Sequence, residues 1–125
     1  MTHKYYRCSH CGQIIEKVKE TAVPVVCCGE PMKELVPNTT DAANEKHVPV
    51  VTREGNVVTV KVGSVTHPMI PEHYIEWIAI KTNKGSQAKR LSPNQEPVAT
   101  FIVADDEVVE VAYEYCNLHS LWATK

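Results

Sequence analysis

Four of the five cysteines fall early in the chain, as Cys8-x-x-Cys11 and the adjacent pair Cys27-Cys28, and a glycine (Gly12, Gly29) follows each pair. No other feature of the sequence constrains the fold as strongly. In the surrounding stretch, "YYRCSHCGQIIEKVKETAVPVVCCGEPMKELV", the apolar residues Ile14, Ile15, Val18, Val23, Val25 and Val26 are too few for an independent core. A segment this small needs a staple, and a metal ion held by thiolates is one. Four sulfur ligands suit zinc or a single iron. The first pair has ordinary knuckle spacing, with Gly12 free to make the tight turn behind it. The second pair is unusual, because zinc modules commonly separate their cysteines by two residues. Adjacent cysteines bend the ideal tetrahedron, which points toward a specialised iron site without excluding zinc. The competing reading is a zinc staple with no further role. A reactive disulfide is disfavoured, because paired cysteines followed by glycines look like ligands.

The rest of the chain is compositionally ordinary. At 125 residues it is the size of one domain, or of a small domain plus a metal-stapled module. A net charge of −2 exerts no pull toward nucleic acid or anionic membrane. No apolar run reaches the length of a membrane span, and "MTHKYYRC" lacks the apolar core of a signal peptide. These features predict a cytoplasmic protein without membrane or nucleic-acid partners, in a compartment where disulfides are rare. Residues 1–36 form the cysteine module, and the polar stretch 37–46, "PNTTDAANEK", reads as a linker with room for a short turn of helix. Residues 47–125 read as all-β, with strands predicted over 48–52, 56–62, 74–81, 87–91, 98–103 and 108–115. The last alternates Val109, Val111, Tyr113 and Tyr115 with Val108, Glu110, Ala112 and Glu114. Six or seven short strands at this spacing predict an antiparallel sandwich of immunoglobulin type.

Four of the six histidines lie just outside predicted strands: His47, His67, His73 and His119. His3 and His10 read as exposed or supporting residues. Antiparallel connections reverse direction at each step. If the strand after His47 runs away from that residue's end, the next returns to a loop carrying His67 and His73. Continued alternation brings the last strand back to the same end, where Cys116 and His119 emerge. Four imidazoles and one thiol therefore converge on one rim, where loops carry function. Five donors are one too many for structural zinc and leave one octahedral position open. Imidazole suits iron, and a thiolate opposite the open position pushes electron density toward it; iron is the favoured metal. Trp77 reads as core, Trp122 as packing beneath the Cys116–His119 loop, and Met69 as packing rather than a ligand.

Taken together, these residues resemble the desulfoferrodoxin family, the two-iron superoxide reductases. Cys8-x-x-Cys11 and Cys27-Cys28 are similar to its desulforedoxin, rubredoxin-like module, and "EKHVP" (45–49), "HPM" (67–69), "HYIEWI" (73–78) and "CNLH" (116–119) to its catalytic motifs. The resemblance spans nearly the whole chain, with the motifs in the family's order. It implies two irons per chain. Cys8, Cys11, Cys27 and Cys28 would hold the first; His47, His67, His73 and His119 would surround the second, with Cys116 as axial thiolate. It implies one-electron reduction of superoxide to hydrogen peroxide, a rubredoxin or similar small electron donor, and a homodimer. Lys46 would attract the anion and orient a proton-delivering water, and Glu45 would ligate the oxidised metal. The first iron would relay electrons or act structurally. Ser120 departs from the pattern, standing where glycine is expected after "CNLH". The rival readings are a non-catalytic electron-transfer protein, a zinc-stapled binding protein, and a superoxide dismutase.

Overall fold

The computed structural model describes residues 4–125, and His3 lies outside them. The chain divides into two compact units, with the boundary between Val36 and Pro37.

In the first unit, β1 (Tyr5–Arg7), β2 (Ile14–Glu16) and β5 (Lys33–Leu35) form an antiparallel sheet in the order β2-β1-β5. A separate two-stranded ribbon joins β3 (Val26–Cys27) to β4 (Glu30–Pro31). Only Tyr5, Cys8 and Met32 are buried apolar residues among those described, and Val18, Val23 and Val26 are exposed. The β3–β4 connection is the two-residue loop Cys28-Gly29, with φ of +54° and +77°. Two consecutive positive φ values match a type I′ turn, whose twist suits a tight hairpin. This turn accounts for the adjacent cysteines: Cys27 closes a strand while Cys28 occupies the turn itself. A non-glycine residue in this conformation is strained by about 1–2 kcal/mol.

The second unit contains α1 (Asn44–His47), β6 (Pro49–Glu54), β7 (Val57–Val62), β8 (Ile75–Thr82), β9 (Ser86–Arg90), β10 (Val98–Ile102), β11 (Val109–Cys116) and β12 (Ser120–Ala123). These strands make two antiparallel sheets, β10-β7-β6 and β12-β11-β8-β9. Val58, Val60, Val62 and Phe101 face Ile75, Ile78, Ile80 and Ala112 across the buried core. The β-branched runs behave as expected of strands with one buried face. The edges of the two sheets are tied by side chains: Gln87 Nε2 donates to the Ile102 carbonyl at 2.9 Å, and Lys89 Nζ donates to that of Thr100. Such ties shield backbone groups at sheet edges from pairing with other chains. No helix among the described residues is long and apolar enough to cross a membrane.

The mainly β reading of the chain holds, and six predicted strands match β6 to β11 within two residues. Two details differ. "SLWA", outside the predicted strands, forms a seventh sandwich strand, β12, which carries Trp122. Trp77 is half-buried rather than core, stacked on Tyr115 at 5.9 Å with the rings 6° from parallel.

Candidate metal centres

The first centre is built by the knuckle between β1 and β2 and by the β3–β4 hairpin. The sulfurs of Cys8, Cys11, Cys27 and Cys28 all lie within 4.8 Å of one another. Cys11 and Cys27 sulfurs are 3.6 Å apart, and those of Cys27 and Cys28 4.0 Å. Four sulfurs bound tetrahedrally to one ion at about 2.3 Å stand about 3.8 Å apart, so these spacings fit a single ion. All five cysteines are free of disulfides. The amide N–H groups of Cys11 and His10 donate to the Cys8 sulfur at 3.4 Å each. The Cys11 amide contributes most to holding the Cys8 thiol down to about 6. Hydrogen bonding with the Cys11 thiol pushes Cys27 up to about 12. Four crowded sulfurs cannot all ionise without a cation among them. His10 stays outside, exposed, with Nε2 3.2 Å from Glu30 Oε1.

The second centre gathers residues from three places in the second unit. His47 ends α1, His67 and His73 lie in the β7–β8 connection, and Cys116 and His119 flank the β11–β12 turn. The imidazoles form a closed ring in the order His47, His67, His73, His119. Neighbouring ring centroids are 4.6–5.1 Å apart, and each ring stands 75–89° from the next. Donor atoms of His47, His67, His73 and Cys116 all lie within 4.8 Å of one another. His119 joins through Nδ1, 3.1 Å from His47 Nε2 and 3.8 Å from the Cys116 sulfur.

Hydrogen bonds determine which nitrogens face inward. His47 Nδ1 is 2.8 Å from the Ala43 carbonyl and His67 Nδ1 2.7 Å from that of Pro68, so each Nδ1 carries the proton. Each Nε2 of the neutral ring is then a bare lone pair, and the two stand 3.3 Å apart. His73 Nε2 is buried without any hydrogen-bond partner. Burial pushes the histidines down, His67 to about 4, and His47 and His73 below their ordinary value. His47, His67 and His73 are therefore neutral near pH 7, the form that binds metal. Facing lone pairs repel unless a cation lies between them. Two nitrogens bound to one ion at right angles, each at about 2.1 Å, are about 3.0 Å apart, close to the spacings seen here.

Cys116 is fully buried and reaches the ring from the core side. Burial pushes its thiol up, while the amides of Leu118 and His119 donate to the sulfur and oppose that. Glu45 and Lys46 are exposed on α1 beside His47. Lys46 directly precedes His47, and its charge contributes, after burial and the neighbouring imidazoles, to lowering both His47 and His73. The Glu45 carboxylate is not among the gathered donors; its carbonyl accepts from the Val65 amide at 2.9 Å.

Both halves of the chain match known family models. Residues 39–125 match the desulfoferrodoxin model, and residues 1–35 match the desulfoferrodoxin N-terminal domain. The chain belongs to the desulfoferrodoxin family. A desulfoferrodoxin homolog of Archaeoglobus fulgidus is 51% identical over 117 residues, covering 94% of this chain and 92% of that one. The crystal structure of the superoxide reductase from Treponema pallidum covers all of both chains, with a TM-score of 0.85 and 41% identity. The one-iron superoxide reductase of Giardia intestinalis covers 64% of this chain and 95% of its own, at a TM-score of 0.55 and 37% identity.

Residues outside the donor set also shape this desulfoferrodoxin site. Trp122 stacks on His47 at 4.9 Å and donates its indole N–H to the His119 carbonyl at 3.0 Å, bracing two neighbouring imidazoles. Metal-binding histidines commonly depend on such support. Ser120 adopts a φ of +67° directly after the His119 turn. A left-handed residue there is strained by about 1–2 kcal/mol, which glycine would avoid, so the departure at Ser120 affects the turn and not the donor set. Met69 packs against the core, and its sulfur accepts from the Ile75 amide at 3.3 Å.

Proposed function

We propose that this chain is a superoxide reductase, converting superoxide, one electron and two protons to hydrogen peroxide. The observation that carries the reading is the ring of four imidazoles approached from the core by one buried thiol, with Lys46 next to His47 on α1. Five donors in this arrangement suit an iron that keeps one coordination position for a small anion. When bound, that iron supplies the electron. We assign His47, His67 and His73 through Nε2, His119 through Nδ1 and Cys116 through its sulfur as the ligands. Cys8, Cys11, Cys27 and Cys28 hold a second iron, giving two per chain; the type I′ turn that strains Cys28 supports an iron site over an ordinary zinc knuckle.

The remaining chemistry falls to the chain's own groups. The Lys46 ammonium raises the local concentration of superoxide despite the net negative charge of the protein. It also orients water for proton delivery. The half-buried His73 and His119 bring that side of the ring to the surface, where a small anion can reach it. Glu45, next to Lys46 on α1, is assigned to the oxidised state, in which its carboxylate closes the site. The electron comes from a rubredoxin or similar small redox protein. A homodimer in the cytoplasm completes the reading. The one-iron Giardia relative supports a dispensable role for the N-terminal centre in the chemistry itself.

Metal analysis with optical spectra tests the assignment: two irons per chain with two distinct ferric–thiolate bands are expected. The reduced protein should yield hydrogen peroxide from superoxide without evolving oxygen. Zinc in both centres, or oxygen evolution matching dismutation, overturns it. Lys46→Ala is expected to slow the bimolecular reaction with superoxide about tenfold at low ionic strength, with a flatter salt dependence, within the range of electrostatic steering. Pulse radiolysis across ionic strengths provides the check; an unchanged rate removes Lys46 from the mechanism.

A further inference from the structure

The four imidazoles are not held alike. His47 and His67 are each anchored through Nδ1 to a main-chain carbonyl, and His119 through its carbonyl to the Trp122 indole. The His73 ring has no carbonyl on a ring nitrogen and its main chain no side-chain donor, among the described residues. Its position has to come from its backbone. The amide and carbonyl of His73 pair with those of Ile70, at 3.0 and 3.1 Å. The residues on either side are both gripped by Asn117. The Asn117 side chain donates from Nδ2 to the Glu72 carbonyl at 3.1 Å and accepts at Oδ1 from the Tyr74 amide at 2.9 Å. Its own amide donates to the Tyr74 carbonyl at 3.2 Å. Three hydrogen bonds from one residue thus straddle His73 in sequence.

Asn117 is also covalently next to Cys116 and two residues before His119. We propose that Asn117 is a positioning residue that sets His73 at a fixed place relative to Cys116, and so replaces the ring hydrogen bond that His73 lacks. The side-chain amide suits this task because it presents one acceptor and two donors in a rigid plane. Here it fills one amide and one carbonyl that would otherwise be unpaired in a partly buried loop. A shorter or aliphatic side chain frees Glu72–Tyr74 to drift, and His73 drifts with it. This inference rests on the assignment of His73 and Cys116 as ligands of one metal.

The test uses the full-length, iron-loaded protein. Asn117→Ala is expected to speed iron release from the histidine centre to a chelator about tenfold or more, the scale typical of lost supporting contacts. Release from the four-cysteine centre should stay unchanged, and the thiolate-to-iron absorption band of the histidine centre should move. Asn117→Asp, which keeps the Tyr74 acceptor but loses the Glu72 donor, should fall between the two and guards against a variant that does not fold. In a His73→Ala background, Asn117→Ala should have no further effect on release or on the band. Unchanged release and band in both Asn117 variants overturn the inference, as does an equal effect with and without His73. Wild-type protein that holds no metal at the histidine centre overturns the ligand assignment itself, and the inference with it.

Discussion

Gly63→Ala is expected to lower stability by about 3 kcal/mol and to strip metal from the histidine centre. Two costs combine. Gly63 has a φ of +79°, where a side chain is strained by about 1–2 kcal/mol. A Cβ there would also stand 2.6 Å from the Val65 carbonyl oxygen, 2.7 Å from that of Glu45 and 2.8 Å from the Lys46 carbonyl carbon. All three are backbone atoms and cannot swing aside, so the overlap adds about 1–3 kcal/mol of overpacking. The contact is where the segment carrying Glu45, Lys46 and His47 rests on the turn leading to His67. The Gly63 amide donates to the Val48 carbonyl at 3.3 Å, and the Val65 amide to that of Glu45. Relief of the clash separates His47 from His67. Gly55→Ala is the internal control: its φ is +60°, but nothing lies within 4 Å of its Cβ position. It should cost only the conformational strain and leave metal content intact. Denaturant midpoints and iron per chain distinguish the two; equal losses, with the histidine centre still loaded in Gly63→Ala, would mean that the close approach has no role.

The convergence of His47, His67, His73, Cys116 and His119 was legible because it follows from counting strands, and strand direction is robust to errors of one or two residues at each end. Side-chain direction is not robust in the same way. In β11, register shifts between Val109 and Val111 and between Tyr115 and Cys116 break simple alternation. The face carrying Ala112, Glu114 and Cys116 turns inward although it contains a glutamate. Trp77 was misplaced for the same reason: an aromatic residue in an apolar run does not reveal which face it occupies. The choice of Nε2 for His47 and His67 depends on where Ala43 and Pro68 place their carbonyls, which spacing does not encode. Gly63 and Asn117 act through contacts with distant backbone. A glycine after a strand reads only as a turn until the segment that rests on it is seen.

Above about pH 6.5 the protein is expected to lose stability, and Glu114→Leu is expected to abolish most of that loss. Glu114 is fully buried, and neither carboxyl oxygen has a hydrogen-bond partner. Burial pushes its carboxyl up to about 9 from an unfolded value of 4.5. The sign follows directly. Below pH 4.5 both states are protonated and there is no penalty. Between 4.5 and 9 the folded protein holds a proton that the unfolded chain releases, so stability falls as pH rises. The slope is about 1.4 kcal/mol per pH unit, amounting to about 3 kcal/mol at pH 7. His67 acts the other way: its depressed value costs stability only as pH falls from 6.5 toward about 4. The two trends oppose each other below pH 6.5, so the clean window runs from 6.5 to 8. There the wild type should lose about 2 kcal/mol that Glu114→Leu does not. Comparing the two proteins cancels the groups they share that Glu114 does not touch, which leaves out only the Cys116 thiol that the Glu114 charge helps to raise. Leucine fills much of the vacated volume and leaves no buried acid, so the variant should also be more stable than wild type at pH 7. Unfolding curves at pH 6.5, 7.2 and 8 decide the matter, and parallel pH profiles for the two proteins would show that Glu114 is ionised and paired in the folded state.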